Sequence, residues 1–251
     1  MESRNIKLII AYDGTDYCGW QRQVTARTVQ GTIEQALEKM HGHSVNLNGC
    51  GRTDSGVHAA GQAANFFTDI NSIPANRFAA ALNSLLPLDI RILDSCQEQN
   101  DFHARFSASA RTYRYHFICR SLLPHERLYN LYLRRFPRLE ILNAYGRLLA
   151  GETDCSIFAG AGDSALCAGK SRNRYVYSSL FFVEGERLIF EICANAFLRN
   201  MVRSVAGTFL HYEEKDTPPE KLQEIILSGK RCLAGVTLPP QGLFLWKAHY
   251  P

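Results

Sequence analysis

Long apolar runs are missing from this chain of 251 residues. Its most apolar stretches are like Ile6–Ala11, which has Lys7 inside it. That is far short of the roughly 20 residues a helix needs to cross a bilayer. The opening Met1-Glu2-Ser3-Arg4-Asn5 lacks the pattern of a secretion signal. Low-complexity segments are missing too, which argues against disorder. The eight cysteines, at 18, 50, 96, 119, 155, 167, 193 and 232, include no Cys-x-x-Cys pair, and no Cys/His grouping has zinc spacing. These absences lead us to expect a soluble, cytoplasmic protein with reduced thiols and no membrane association. His41-Gly42-His43 is the one pair of imidazoles open to a metal reading; beside a helix end it reads better as solvated surface.

What is present suffices for real cores: 46% of the residues are hydrophobic and 21% charged. The net charge of +4 decides little, but its distribution says more. Seven arginines and a single acid, Glu126, fall between Arg111 and Arg138. Tyr113, Tyr115, Phe117, Tyr129, Tyr132 and Phe136 lie among them. Guanidinium groups suit phosphates and aromatic rings offer stacking faces, so this stretch suits nucleic acid. An ordinary strand with solvated charges and core aromatics would give the same composition.

Hydrophobic periodicity predicts strands at Ile6–Tyr12, Val45–Cys50, Gln62–Thr68 and Leu88–Leu93, with helices at Val29–Met40 and Pro74–Leu86. Gly42 lies just past the first helix and Ser72 is available to cap the second. The order β-α-β-β-α-β is the split pattern of ferredoxin-like units. The second half repeats it. Strands are expected at Thr112–Cys119, Arg174–Val183, Leu188–Cys193 and Leu243–Ala248, and helices at Leu139–Leu149 and Ala196–Leu210. A further helix should follow the capping box Thr217-Pro218-Pro219-Glu220. The fold class expected is therefore α+β, two ferredoxin-like halves, 1–105 and 106–251, joined near Cys96–Ser109. The repeat is one of element order, without sequence identity between the halves.

The residues that could do chemistry sit in two segments. Asp54 lies in the polar loop Gly51-Arg52-Thr53-Asp54-Ser55-Gly56-Val57-His58. Its carboxylate could merely cap a turn. Against that, Arg52 stands two residues away, two glycines allow close backbone approach, and an arginine partner is what holds a carboxylate nucleophile charged and aimed. The second segment, Asn195-Ala196-Phe197-Leu198-Arg199-Asn200-Met201-Val202-Arg203, would place Arg199 and Arg203 on one face of a largely buried helix. Such arginines either pair with a dedicated carboxylate or phosphate or snorkel to the surface.

The Arg52-Thr53-Asp54-Ser55-Gly56-Val57-His58 loop resembles the catalytic motif of pseudouridine synthases, and more narrowly that of the tRNA pseudouridine synthase A family. Tyr12-Asp13-Gly14-Thr15 with Gly19-Trp20-Gln21, Asn83-Ser84-Leu85-Leu86-Pro87, Phe102-His103-Ala104-Arg105-Phe106-Ser107, Arg111-Thr112-Tyr113-Arg114-Tyr115 and the segment 195–203 resemble further blocks of that family, in its order. The resemblance implies two ferredoxin-like halves sharing a central antiparallel sheet, a homodimer, tRNA as partner and no cofactor or metal. It implies isomerisation of uridine to pseudouridine at positions 38, 39 and 40 of the anticodon stem-loop. By the same resemblance Asp54 is the nucleophile acting on a flipped-out nucleotide, Arg203 its ion-pair partner, and Tyr113 the ring that stacks on the base and assists loss of the C5 proton. Arg52, Arg111, Arg114, Lys170, Arg172 and Arg199 are expected to meet RNA. The small-residue segment 157–171 matches the family only loosely, which bears on which uridines are accepted. His58 and His103 are expected to be structural or to face RNA.

Two rival readings make different predictions. An RNA-binding module without catalysis would have no need of Asp54. A glycosidase or nucleosidase would want a second acid about 5–9.5 Å away, for which Asp13 or Asp16 are candidates.

Overall fold

The computed structural model describes residues 3–160 and 171–251. Lys170 and Cys167 lie outside the described residues. Two compact units emerge, Met1–Ser109 with Phe244–Pro251, and Ala110–Leu243. The fold is α+β. Within the units every strand pairing is antiparallel except β3 with β10 and β5 with β6.

In the first unit, alternation in β1 (Arg4–Tyr12) turns Ile6, Leu8 and Ile10 into the core. Helix α1 (Val29–His41) starts where the Thr28 hydroxyl accepts the Gly31 N–H and stops at left-handed Gly42, the residue the sequence offered for it. The short β2 (Asn48–Gly49) and the long β3 (His58–Thr68) follow. A 3-10 turn at Ala75–Arg77 leads into α2 (Phe78–Asn83), and β4 (Ile90–Glu98) closes the set. β1 lies between β4 and β3. The far side of β3 is shared: β2 pairs with Asn65 and Ala64, and β10 (Leu243–His249) pairs with His58 and Ala59. The loop 50–57 leaves between these two partners. Phe66 on β3 meets the edge of Phe78 on α2, with Ile33 and Leu37 of α1 fully buried nearby in the same core.

In the second unit, β5 (Ala110–Ile118) pairs with β9 (Arg187–Ala194), β9 with β8 (Asn173–Glu184), and β8 with β7 (Gly151–Asp154). The short β6 (Leu131–Tyr132) lies along β5. Gly185, at φ 60°, turns the β8–β9 hairpin, between the strands expected at Arg174–Val183 and Leu188–Cys193. Helix α3 (Leu139–Arg147) and helix α4 (Met201–Glu214) cover one sheet face through Tyr145, Phe209 and Phe190. Helix α5 (Pro219–Leu227) follows.

Four expectations change. The helix predicted over Pro74–Leu86 shrinks to Phe78–Asn83 behind a 3-10 turn, and Pro74 rather than Ser72 takes the cap position of that turn. The helix predicted from Ala196 begins at Met201, after Asn200 adopts a left-handed φ of 63°. The strand predicted over Val45–Cys50 shrinks to two residues. The capping box ahead of α5 does not form, because Pro218 takes the cap position; Thr217 instead donates its N–H to Tyr212 O and accepts the Tyr145 hydroxyl.

Candidate active site

The Asp54 loop is fixed at both ends by β3. Cys50 N–H donates to Ala63 O at 2.7 Å and the Gln62 amide donates to Gly51 O at 2.7 Å. Its middle rests on the turn that follows β1. Trp20 N–H donates to Thr53 O at 3.1 Å, and the Thr53 and Tyr12 hydroxyls meet at 2.8 Å. Burial drives the Tyr12 phenol far above its ordinary value of 10, against the opposing pull of its Thr53 bond, so this pair stays neutral. The Ser55 hydroxyl donates to Tyr17 O, and Val57 N–H donates back to Asp54 O at 3.1 Å. Gly56, at φ 78°, makes that return possible. Arg52 and Ser55 are exposed, Thr53 is buried, and Asp54 between them is half-buried.

Two glycines let the turn approach this closely. A Cβ on Gly14 would stand 2.0 Å from Val57 O, and one on Gly19 would stand 2.6 Å from Thr53 O. Gly19 also has φ 84°, which disfavours a side chain there for a second reason. The Tyr12–Gln21 block resembles the family's opening turn; in the structure it is the seat of the Asp54 loop. His58, where the loop rejoins β3, is buried and stacks on Phe244 at 4.8 Å. Its Nδ1 lies 3.1 Å from Gly14 N–H and 3.1 Å from Asp13 Oδ1. It can accept from the first when neutral and donate to the second when protonated. His58 is therefore a structural histidine rather than an RNA-facing one. Asp13, weighed above as a second acid, has its Oδ1 occupied by His58, Thr15 N–H and the Thr15 hydroxyl.

In the second unit, β5 alternation puts Arg111, Tyr113 and Tyr115 on one face and Arg114 on the other. Tyr113 is buried with its ring 4.9 Å from Phe197, edge to face. Tyr115 donates its hydroxyl to Pro239 O; burial raises its phenol far above 10 while the Arg203 charge pulls the other way. Arg203, in the first turn of α4, is aimed by its own bonds: Nε donates to Leu238 O at 2.6 Å and a terminal nitrogen to Asn200 Oδ1 at 3.0 Å. Arg111 donates to Asn195 O at 2.8 Å, tying the start of β5 to the segment ahead of α4.

The other predicted cations are placed differently. Arg199 precedes α4, and its carbonyl accepts the Gly160 N–H, so it does not share a helical face with Arg203. Arg114 pairs with Glu191 at 2.7 Å across the β5–β9 ladder and lies over the Phe182 ring. Arg172 reaches the Ser156 hydroxyl at 3.4 Å. Among the described residues no group of three or more His, Cys, Asp or Glu side chains could hold a metal ion, and no helix is long and apolar enough to cross a membrane.

A carboxylate seated on a glycine-lined turn, in an α+β chain with a buried tyrosine and an aimed arginine in its other unit, is the equipment of an enzyme rather than of a plain binding module. A family model described as tRNA pseudouridine synthase matches residues 8–107 and 147–251. The match takes in the Asp54 loop and α4; Tyr113, Arg111 and Arg114 fall between its two segments. The chain is 50% identical over 254 residues to the tRNA pseudouridine synthase A of Treponema denticola, covering 99% of this chain and 93% of the relative. It is 43% identical to that of Caldicellulosiruptor bescii, over 98% of this chain and all of the relative, and 39% identical to that of Brachyspira hyodysenteriae, over 98% of each. The chain belongs to the tRNA pseudouridine synthase family. It is an isomerase that converts uridine to pseudouridine in tRNA.

Proposed function

We propose that this enzyme isomerises uridines 38, 39 and 40 in the anticodon stem-loop of tRNA, with Asp54 as nucleophile on a flipped-out nucleotide. The seating of the Asp54 loop carries this reading. Bonds to Thr53, Asp54 and Ser55 fix the backbone on both sides of a half-exposed carboxylate. A group so held loses little entropy when it meets its target. Asp54 attacks the nucleotide, the N1–C1′ bond breaks, uracil turns, C5 bonds to C1′ as the bond to Asp54 is released, and the proton lost from C5 is balanced by one gained at N1. Nothing is oxidised or reduced.

Arg203 is the counter-charge that keeps Asp54 ionised once RNA excludes water, a role supported by its aimed guanidinium. Tyr113 stacks on the base and takes part in removing the C5 proton. Extrusion of the nucleotide costs a few kcal/mol, and stacking on one ring returns roughly 1–3 kcal/mol. Arg52, exposed beside Asp54, takes a phosphate or fills the place the nucleotide leaves. Arg111, Arg114, Lys170, Arg172 and Arg199 contact the RNA; of these Arg114 already pairs with Glu191. We read both halves as ferredoxin-like. The first unit's order β4-β1-β3-β2, antiparallel between neighbours, supports this. The family resemblance supports a homodimer, and tRNA as substrate supports the cytoplasm.

The test is tritium release from 5-tritiated uridine in tRNA. Wild type should release tritium and Asp54→Ala should release none. Replacing uridines 38–40 should abolish release by wild type. Equal release by wild type and Asp54→Ala would end the nucleophile assignment, and free uracil as product would favour a nucleosidase.

A further inference from the structure

The turn that follows β4 carries a side chain whose position the fold does not explain. Ser107 N–H donates to His103 O at 2.9 Å, His103 N–H donates to the Ser107 hydroxyl at 3.0 Å, and Arg105 N–H donates to His103 Nδ1 at 3.1 Å. Ala104 anchors this turn. It is fully buried, its N–H donates to Asn65 Oδ1 at 2.9 Å, and its carbonyl accepts the Tyr250 hydroxyl at 2.7 Å. Ala104 shares a small apolar cluster with Ala63 and with Cys50, the residue from which the Arg52–Asp54 loop departs. The turn is thus closed, pinned, and rooted beside the base of that loop.

At its tip Phe106 is 77% exposed. Its ring centroid lies 4.5 Å from that of His103 and 5.5 Å from the Arg105 guanidinium carbon. Folding gains nothing from holding a phenyl ring in water on a turn whose anchor is Ala104. Its surroundings in the chain are polar or small: His103, Arg105, Ser107, Ala108 and Ser109, with no acid from Phe102 to Ala110. A protein partner wants a continuous apolar patch, which this turn does not provide. A lone exposed ring beside a guanidinium and an imidazole suits an unstacked base next to its phosphate.

We propose that Phe106 is a base-stacking platform for an unpaired nucleotide of the tRNA substrate, with Arg105 and His103 as its cationic and aromatic flank. This rests on tRNA being the substrate and is independent of the role of Asp54. Phe106 is a binding residue, and the chemistry takes place elsewhere.

Binding of end-labelled tRNA transcript to the full chain tests it, with wild type, Phe106→Ala, Phe106→Leu and Phe106→Tyr compared at one fixed salt concentration. Alanine and leucine should each weaken the Kd by about 5- to 150-fold, the range that loss of one base–aromatic stack gives. Tyrosine should stay close to wild type. Melting temperature should not move, because the side chain is exposed. Wild-type affinity in Phe106→Ala would overturn the proposal. Wild-type affinity in Phe106→Leu would reduce the contact to plain apolar burial and overturn stacking. A fall in particle mass by light scattering in Phe106→Ala would make the ring an interface between copies and overturn it too. Failure of wild type itself to bind would instead remove tRNA as substrate, and this proposal with it.

Discussion

Replacing Gly14 by alanine should slow isomerisation about 100-fold while leaving a folded protein. The added Cβ would stand 2.0 Å from Val57 O and 2.6 Å from Val57 C. Real Cβ contacts essentially never fall under 3.0 Å, so something must yield by about 1 Å. The obstacle is backbone, and no side-chain rotation relieves it. Val57 N–H is bonded to Asp54 O, so displacing Val57 carries the carboxylate with it. A misplacement of about 1 Å can cost on the order of 10²-fold in rate. Single-turnover tritium release at saturating enzyme measures that step directly. Gly42→Ala is the matched control. It puts a side chain on a glycine that is left-handed, at φ 74°, where Gly14 is not, and no heavy atom lies within 4 Å. It should cost about 1 kcal/mol of stability and leave the rate alone. If Gly14→Ala is folded and isomerises within about threefold of wild type, the turn after β1 does not position the Asp54 loop.

Two further outcomes are expected. Tyr113→Phe keeps the ring and its contact with Phe197, so it should fold and bind tRNA normally, yet turn over about 10²- to 10⁴-fold more slowly; near-normal turnover would remove Tyr113 from proton transfer. Glu213, at 1% side-chain exposure, is held below the ordinary glutamate value of 4.5: burial pushes it up, but bonds from Arg135 and Arg138 outweigh that. Its folded carboxyl is the stronger acid, so its contribution to stability is full above about pH 4.5 and is lost as pH falls through the lower folded value. Glu213→Gln should therefore melt lower than wild type at pH 7, by about 2–4 kcal/mol once the exposure of both arginines is allowed for, with the gap closing in acid; a gap independent of pH would refute the assignment.

Several features were legible along the chain because the forces behind them act within a few residues. Gly42 ends α1 through its backbone freedom, and Gly185 turns the hairpin between the two strands expected on either side of it for the same local reason. The Asp54 loop stood out by its glycines and its arginine. Helix α4 was misjudged by five residues because its start is decided at long range. Gly160 takes the Arg199 carbonyl and Asn200 turns left-handed, so apolar periodicity from Ala196 onward does not become helix. Thr217 looked like a cap, but its carbonyl answers to Tyr145, 72 residues away, and its N–H to nearby Tyr212.

The sequence by itself determined the α+β class, the two sets of elements and the loop that bears the carboxylate, since alternation, helical stripes and glycine placement are written in neighbouring residues. Only the tertiary structure decided that Gly14, Gly19 and Trp20 form the seat of that loop, that His58 is buried against Asp13 and Gly14, and that Arg114 answers to Glu191. Each of those contacts joins residues tens of positions apart. Which polar group meets which is settled by strand register and by the close approach of two backbones, and neither leaves a periodic mark on the chain.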